Sequence, residues 1–179
     1  STGAATMDEL GPMMEALRGR PAGLMHCVSS YPVPAGCAAL RGIERLRQRF
    51  AGPVGYSDHT TGVWTGMLAV AAGATMVEKH LTDDTTAAGP DHAASLNGED
   101  FRRYVECIRI AEIERGAYDK HHQACEGDVR RVARQSVCSK RDLPAGHVIA
   151  RDDVTVKRPG TGIPAGRLDA VVGRRLKRA

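Results

Sequence analysis

Aromatic residues are scarce in this chain of 179 residues: they make up 4% of the sequence, with one Trp and two Phe. A hydrophobic core must therefore be built mainly from Ala, Val, Leu, Ile and Met. Hydrophobic residues nevertheless reach 42% and charged residues 26%, which is normal for a folded globular protein and argues against disorder. The length suits one ordinary domain, or a partial domain followed by a small one.

Long apolar segments are also absent, and the clearest basic cluster, Arg174, Arg175, Lys177 and Arg178, is interpreted as a solvated end. The longest weakly polar run, 63–77, is interrupted by Thr65, Thr75 and several glycines, so we expect no membrane-spanning segment. The polar sequence that follows Ser1 predicts no signal peptide. Lys and Arg number 25 against 21 Asp and Glu, and this net charge of +4 suits a small anionic substrate better than a nucleic acid.

The cysteines form no recognisable pairing pattern. Five are present, an odd number, and none belongs to a CxxC pair. This usage predicts reduced thiols in a cytoplasmic protein, with neither a disulfide framework nor a zinc site.

Helices and strands are predicted to alternate over residues 1–116. Thr6 and Glu9 fit a helix capping box, and Asn97 is a candidate helix cap. Short apolar runs separated by amphipathic segments predict buried parallel strands joined by helices. These runs cover 24–28, 53–56 and 75–77. A closed (β/α)8 barrel needs about 250 residues, so this α/β pattern predicts the second half of a TIM barrel, truncated on its N-terminal side.

The pattern changes in the last third of the chain. Charged residues dominate 117–131, which we interpret as a linker. Short β-type runs at 136–138, 147–149 and 154–156 then predict a small β-rich domain over 132–179. We expect this domain to be truncated as well.

Polar side chains follow each predicted strand of the first domain, where the active site of a barrel lies. They are Ser29 and Tyr31, Ser57 and His59, and Glu78 and His80. Side chains alternate faces along a strand, so His59 and His80 are expected to share one face with their serine and glutamate neighbours. Two imidazoles there predict a catalytic divalent metal with open coordination positions, for which Mn²⁺, Fe²⁺, Co²⁺ and Zn²⁺ are all acceptable.

Alternative interpretations stay open for these residues. A histidine at a strand end is more often a hydrogen-bonded loop residue, and only the matching placement of His59 and His80 favours a metal. Glu78 is either a general base or hydroxyl acceptor, or the ion-pair partner of Lys79 or an arginine. The spacing does not decide whether His92 faces the site.

Five stretches occur in an order that resembles one family. They are HCVSSYP at 26–32, GYSDHT at 55–60, EKHLT at 78–82, GPDHAASL at 89–96 and KRPG at 157–160. Together they resemble the sialic acid synthase (N-acetylneuraminate synthase) family over nearly the whole chain. The resemblance implies a (β/α)8 barrel followed by an antifreeze-like (SAF) β domain, in a domain-swapped homodimer.

The resemblance also implies an activity. Phosphoenolpyruvate would condense with N-acetylmannosamine or a related amino sugar and release phosphate. The alternatives are a legionaminic-type or pseudaminic-type nonulosonate synthase, or a non-catalytic binding or dimerisation module.

Site roles follow from the same resemblance. A divalent ion, Mn²⁺ with Mg²⁺ or Co²⁺ as alternatives, would be held by His59 and His80, which are catalytic together with Glu78. Phosphoenolpyruvate would contact Ser1 and Ser57, and also Ser29, which stands where some members carry Asn. The sugar would meet the remaining predicted residues: Tyr31, Glu78, Asp91 and, from the β domain across the dimer, Arg158. Because the first barrel half has no counterpart, we expect the chain alone to be inactive or poorly folded.

Overall fold

The computed structural model describes all 179 residues and divides into two compact units. The first unit is Ser1–Ala117 and the second is Tyr118–Ala179. No helix in either unit is both long enough and apolar enough to cross a bilayer.

A capped helix opens the first unit. Helix α1, Met7–Ala16, begins directly after Thr6, whose side chain and that of Glu9 form the predicted capping box. Pro12 lies inside this helix and does not delay its start. The two hydrogen bonds that Glu9 accepts from Thr6, at 2.7 and 2.8 Å, fix the first turn before the proline is reached.

Three parallel strands form the sheet of the first unit, in chain order. They are β1 (Leu24–Cys27), β2 (Val54–Asp58) and β3 (Val77–Lys79), and the helices between and after them are α2 (Arg41–Arg49), α3 (Thr65–Ala71) and α4 (Gly98–Arg115). The predicted alternation of strands and helices is therefore present. Asn97 caps α4, as predicted, by accepting a hydrogen bond from the backbone N–H of Asp100 at 2.9 Å.

Two strand boundaries differ from the prediction. Strand β2 continues through Ser57 and Asp58, and β3 is shifted to Val77–Lys79. The reason is pairing: Ser57 lies opposite Glu78 and Asp58 opposite Lys79 in the parallel register. Polar residues at these ends resemble a loop in sequence, although they are still held in the sheet.

The core of the first unit lies between the sheet and its helices. Leu24, Val54 and Tyr56 of the strands are buried against Ile43 and Leu46 of α2. Aliphatic side chains dominate this core, in agreement with the low aromatic content, and Phe50 and Tyr56 are its aromatic members.

The second unit contains one antiparallel strand pair. Helix α5, Gly127–Ala133, precedes β4 (Ser136–Ser139), which pairs with β5 (Val154–Lys157). The predicted strand at 147–149 is absent, because Val148 makes only an isolated bridge to Arg175. The segment interpreted as a linker, 117–131, contains a 3₁₀ turn and the first residues of α5.

Candidate active site

The carboxyl ends of β2 and β3 bring a serine and a carboxylate together. Ser57 Oγ donates a hydrogen bond of 2.7 Å to Glu78 Oε1, across the pair that the strand register places side by side. Ser57 Oγ also lies 3.3 Å from His59 Nε2. The predicted sharing of a face by Ser57, His59 and Glu78 is thus observed.

His59 is held from two sides. Its Nδ1 donates to the backbone carbonyl of Val28 at 2.9 Å, and its own carbonyl accepts from the N–H of Val33 at 2.9 Å. Because a carbonyl only accepts, Nδ1 carries the proton, and a neutral ring has its lone pair on Nε2. The single hydroxyl proton of Ser57 is directed to Glu78, so it does not occupy that lone pair.

His80 lies close to His59 where strands β2 and β3 end, and this end of the sheet is called the mouth below. The two ring centroids are 5.5 Å apart, with the planes at 73°. The ring of Tyr31 packs on both, with its centroid 4.1 Å from that of His59 and 5.9 Å from that of His80. Asp91 Oδ2 is 3.9 Å from His80 Nδ1, too far for a hydrogen bond. Three rings and a carboxylate therefore line one mouth.

The predicted phosphoenolpyruvate residues near the N-terminus lie at the end of β1. The N–H of Thr2 bonds the carbonyl of Met25 at 2.9 Å, which sets the segment of Ser1 beside this strand. The side chain of Ser29 lies directly against Gly3, where any added Cβ would overlap it. Ser1 and Ser29 thus belong to neighbouring segments.

The sequence also singles out Arg158 and His92. Arg158 directly follows β5 in the second unit. His92 Nδ1 is 2.7 Å from Thr82 Oγ1, an interaction within its own loop. His26 Nε2 is 3.0 Å from the carbonyl of Ala38.

The donor set suits a catalytic ion better than a structural one. No group of three or more His, Cys, Asp or Glu side chains is arranged to hold a metal. Two imidazoles, from His59 and His80, leave most coordination positions for water or substrate, as catalytic sites require.

A buried polar network behind this mouth was not predicted. Asp58 Oδ2 accepts from Tyr104 Oη at 2.8 Å, and its Oδ1 accepts from the N–H of Thr60 at 2.8 Å and from Tyr56 Oη at 3.4 Å. Lys79 Nζ lies 3.7 Å from Asp58 Oδ1, with side-chain exposures of 1% and 0%. Burial lowers the pKa of Lys79, and Asp58 opposes that shift. Burial, followed by the charge of Asp58, raises the pKa values of Tyr56 and Tyr104.

The sequence contains one signal for this network. Asp58 and Lys79 each immediately precede a candidate metal-binding histidine, in stretches that the family resemblance already singles out. Their pairing depends on the register of β2 and β3, which sequence spacing alone does not fix.

Comparison with known proteins gives one consistent result. The NeuB family model matches residues 1–120, and the SAF domain model matches residues 134–179. The chain is 40% identical to an N,N'-diacetyllegionaminic acid synthase of Legionella pneumophila, a match that covers 86% of the chain and 43% of that protein.

Solved structures agree with the sequence matches. An N-acetylneuraminic acid (sialic acid) synthetase from Leptospira borgpetersenii is 35% identical, with a TM-score of 0.64 over 71% of the chain and 45% of that structure. A putative spore coat polysaccharide biosynthesis protein E from Chromobacterium violaceum is 29% identical, with a TM-score of 0.73 over 92% of the chain and 51% of that structure. The chain spans about half the length of the curated relatives it matches.

Proposed function

Because the chain belongs to the NeuB family, we propose that it carries the metal-binding half of a nonulosonate synthase active site. The enzyme would join phosphoenolpyruvate to the aldehyde carbon of an N-acyl amino sugar, add water and release phosphate. Similarity to a legionaminic acid synthase of Legionella and to a sialic acid synthetase of Leptospira supports this class of reaction.

The observation that carries the proposal is the convergence at the strand ends. Ser57, His59, Glu78 and His80 come from two strands and meet at the edge where a barrel keeps its active site. Core packing does not require a serine, two imidazoles and a carboxylate there, which disfavours a purely non-catalytic binding or dimerisation module.

We further propose that the first unit is the second half of a (β/α)8 barrel. The three parallel strands in chain order and the coverage of about half of each relative support this assignment. The second unit would be an antifreeze-like domain, which the match of the SAF domain model to residues 134–179 supports. In the assembled, cytoplasmic homodimer, Arg158 would reach the amino sugar bound by the partner, because its planar guanidinium fork suits an acetamido oxygen.

The metal would be held by His59 Nε2 and by the ring of His80. The hydrogen bond from His59 Nδ1 to Val28 prepares the free nitrogen, as the outer contacts of ligating histidines commonly do. A bound divalent ion, with Mn²⁺ as the favoured candidate and Mg²⁺ or Co²⁺ as alternatives, would supply Lewis-acid polarisation of the sugar aldehyde.

The other side chains have separate tasks. Ser57 holds the carboxylate of Glu78 in place through the 2.7 Å hydrogen bond, and Glu78 accepts a proton from a sugar hydroxyl or from water. Ser1 and Ser29 would supply hydroxyls to the anionic phosphoenolpyruvate, and Ser57 would do so when its hydroxyl turns from Glu78 to the substrate. Tyr31 and Asp91, beside His80, would line the sugar subsite.

The sugar itself is the least determined part of the proposal. Relatives are named as synthases of N-acetylneuraminate-9-phosphate, diacetyllegionaminic acid and pseudaminic acid, so family membership does not select among them. Parallel assays with the three amino-sugar precursors decide this point.

The first experiment uses the 179-residue chain alone. With phosphoenolpyruvate, the amino sugar and Mn²⁺, we expect no phosphate release, because half of the barrel is not supplied by these residues. Robust turnover would refute the half-barrel assignment.

The second experiment joins the chain to the N-terminal half of the Legionella synthase. We expect this fusion to release phosphate and the Glu78→Gln variant to lose roughly 10²–10⁴-fold in kcat, the usual contribution of a general base. His121→Ala, an exposed histidine of the second unit, is the matched control and should keep full activity. A folded fusion without turnover, or an active Glu78→Gln variant, contradicts the proposed function.

A further inference from the structure

Lys79 ties together the two segments that bear the candidate metal-binding histidines. We propose that it is a positioning residue, which acts through Asp58 and the backbone of 58–60 to hold the rings of His59 and His80 close together. This arrangement is called the Lys79 clamp below. The inference rests on the proposed function for the purpose of the clamp, but its geometry is testable without metal or substrate.

The strand register makes the clamp possible. Lys79 lies opposite Asp58 in the parallel pairing of β3 with β2. Both side chains are almost completely buried, at 1% and 0% exposure, with Nζ and Oδ1 3.7 Å apart. The contact therefore joins the last residues of two strands at a point that solvent does not reach.

The contacts of the clamp lie on both sides of His59 in the chain. The carboxylate of Asp58 accepts from the N–H of Thr60 at 2.8 Å, which closes a turn with His59 at its centre. Lys79 Nζ donates to the carbonyl of Thr60, the other side of the same turn. His80 directly follows Lys79 in the chain, so one ammonium group links the backbone positions of both imidazoles.

Stability alone is a weak reason for such a pair. A buried ion pair is often no more stabilising than apolar side chains of similar volume, because both charges lose their hydration. Asp58 already has hydrogen bonds from Tyr104 and Tyr56 to satisfy its oxygens. Lys79 adds to this network a hydrogen bond to the 58–60 turn. This bond fixes the position of the turn, and therefore of His59, relative to β3.

The test compares two variants in the fusion with the N-terminal half of the Legionella synthase, because the chain alone is expected to fold poorly. Lys79→Met keeps the length of the side chain and removes the link to Thr60 and Asp58. Tyr104→Phe, the matched control, removes one hydrogen bond to Asp58 and leaves the link intact. Circular dichroism and urea unfolding establish that each variant folds and how much stability it loses.

Two readouts report on the histidines themselves. Nuclear Overhauser contacts between the ring protons of His59 and His80 measure their approach without any metal. Titration with Mn²⁺, followed by electron paramagnetic resonance of the free ion, measures its binding. In Lys79→Met we expect the ring-to-ring contact to disappear and Mn²⁺ affinity to fall roughly 10–100-fold, the usual effect of losing an outer partner of a metal site. Tyr104→Phe should retain both.

The outcomes separate the clamp from the metal function. A folded Lys79→Met with unchanged ring contact overturns the clamp, and so do equal losses in Lys79→Met and Tyr104→Phe. A wild-type fusion that shows the ring contact but binds Mn²⁺ no better than its His80→Ala variant overturns the metal site and leaves the geometric result standing.

If Lys79→Met does not fold, Asp58→Asn takes its place. This isosteric change keeps an acceptor for Thr60 N and removes the charge that holds Lys79, so we expect the ring contact to weaken. Normal contact in folded Asp58→Asn overturns the clamp. Failure of both variants to fold shows that the pair is required for folding, and this also overturns the proposal.

Discussion

Two buried carboxylates, Asp58 and Asp153, have different partners in the two units. Asp58 in the first unit is buried among two tyrosines and a lysine. Asp153 in the second unit accepts from His147 Nε2 at 2.6 Å, from Arg141 at 2.6 Å and from the N–H of Ala150 at 2.9 Å. These bonds, led by that from His147, lower the pKa of Asp153 from 3.8 to about 2.

The depressed pKa of Asp153 gives a pH dependence with a definite sign. Its ionised form is favoured in the folded state, so its contribution to stability is complete above pH of about 4 and is lost as pH falls towards about 2. We expect urea midpoints of wild type and Asp153→Asn to differ most at pH 5 and to converge by pH 2. A constant difference over that range contradicts this assignment.

The sequence predicts the residues that line the candidate site more readily than the buried network behind them. His59, His80, Ser57 and Glu78 were predicted to converge because strand ends and alternating faces are visible as spacing. Tyr104 lies 46 positions after Asp58, and no pattern links them. Its hydroxyl reaches the carboxylate only because α4 packs on α3.

At the scale of elements, one glycine sets the approach of α4 to α3. Gly66 of α3 is buried, and a Cβ there would lie 2.5 Å from Tyr104 Oη. The absence of a side chain thus lets Tyr104 pass α3 and reach Asp58.

Gly66→Ala is expected to destabilise the protein by about 1–3 kcal/mol, the usual cost of overpacking a core. Alanine otherwise favours a helix by up to about 1 kcal/mol, so a net loss identifies the overlap with Tyr104 as its cause. The free energy of unfolding in urea measures it.

The control for this change is Gly98→Ala in the first turn of α4, where nothing lies within 4 Å of the added Cβ. It should leave stability unchanged or raise it slightly. Equal effects of the two substitutions would rule out close packing as the role of Gly66.

Elements with local determinants were predicted best. Thr6 with Glu9, and Asn97, fix helix starts through contacts three residues away, which are legible in sequence. The ends of β2 and β3 were placed wrongly because their polar residues belong to the sheet only through partners about 20 positions apart. The predicted strand at 147–149 is absent for a related reason, since Val148 forms only an isolated bridge to Arg175.

At the scale of the whole molecule, the chain divides between Ala117 and Tyr118. The sequence indicates this boundary by a change of composition, from an amphipathic helix to charged residues. Residues that belong to no hydrophobic core need not be apolar, so the change is visible in the sequence. The sequence did not reveal α5, a helix of seven residues with no buried side chain.

This division predicts a site of limited proteolysis. Tyr118 is fully exposed and lies between the end of α4 and the turn at Ala124, where chymotrypsin can engage the backbone. We expect the first cleavage after Tyr118, releasing fragments that correspond to the two units.

Tyr118→Ser should remove this early cut and leave later ones unchanged. Mass spectrometry of the first products checks the assignment. An initial cut near Trp64 or Tyr31, the other exposed aromatic residues, would contradict it.

Ser57 has one proton and two neighbours that can receive it, Glu78 at 2.7 Å and His59 at 3.3 Å. The hydrogen bond to the carboxylate and the freedom of the imidazole nitrogen therefore both depend on the orientation of one hydroxyl. The effects of single mutations at Ser57, His59 and Glu78 will not add up, because removing one side chain changes the hydrogen bonds of the other two. The contribution proposed for this site therefore belongs to the three residues together.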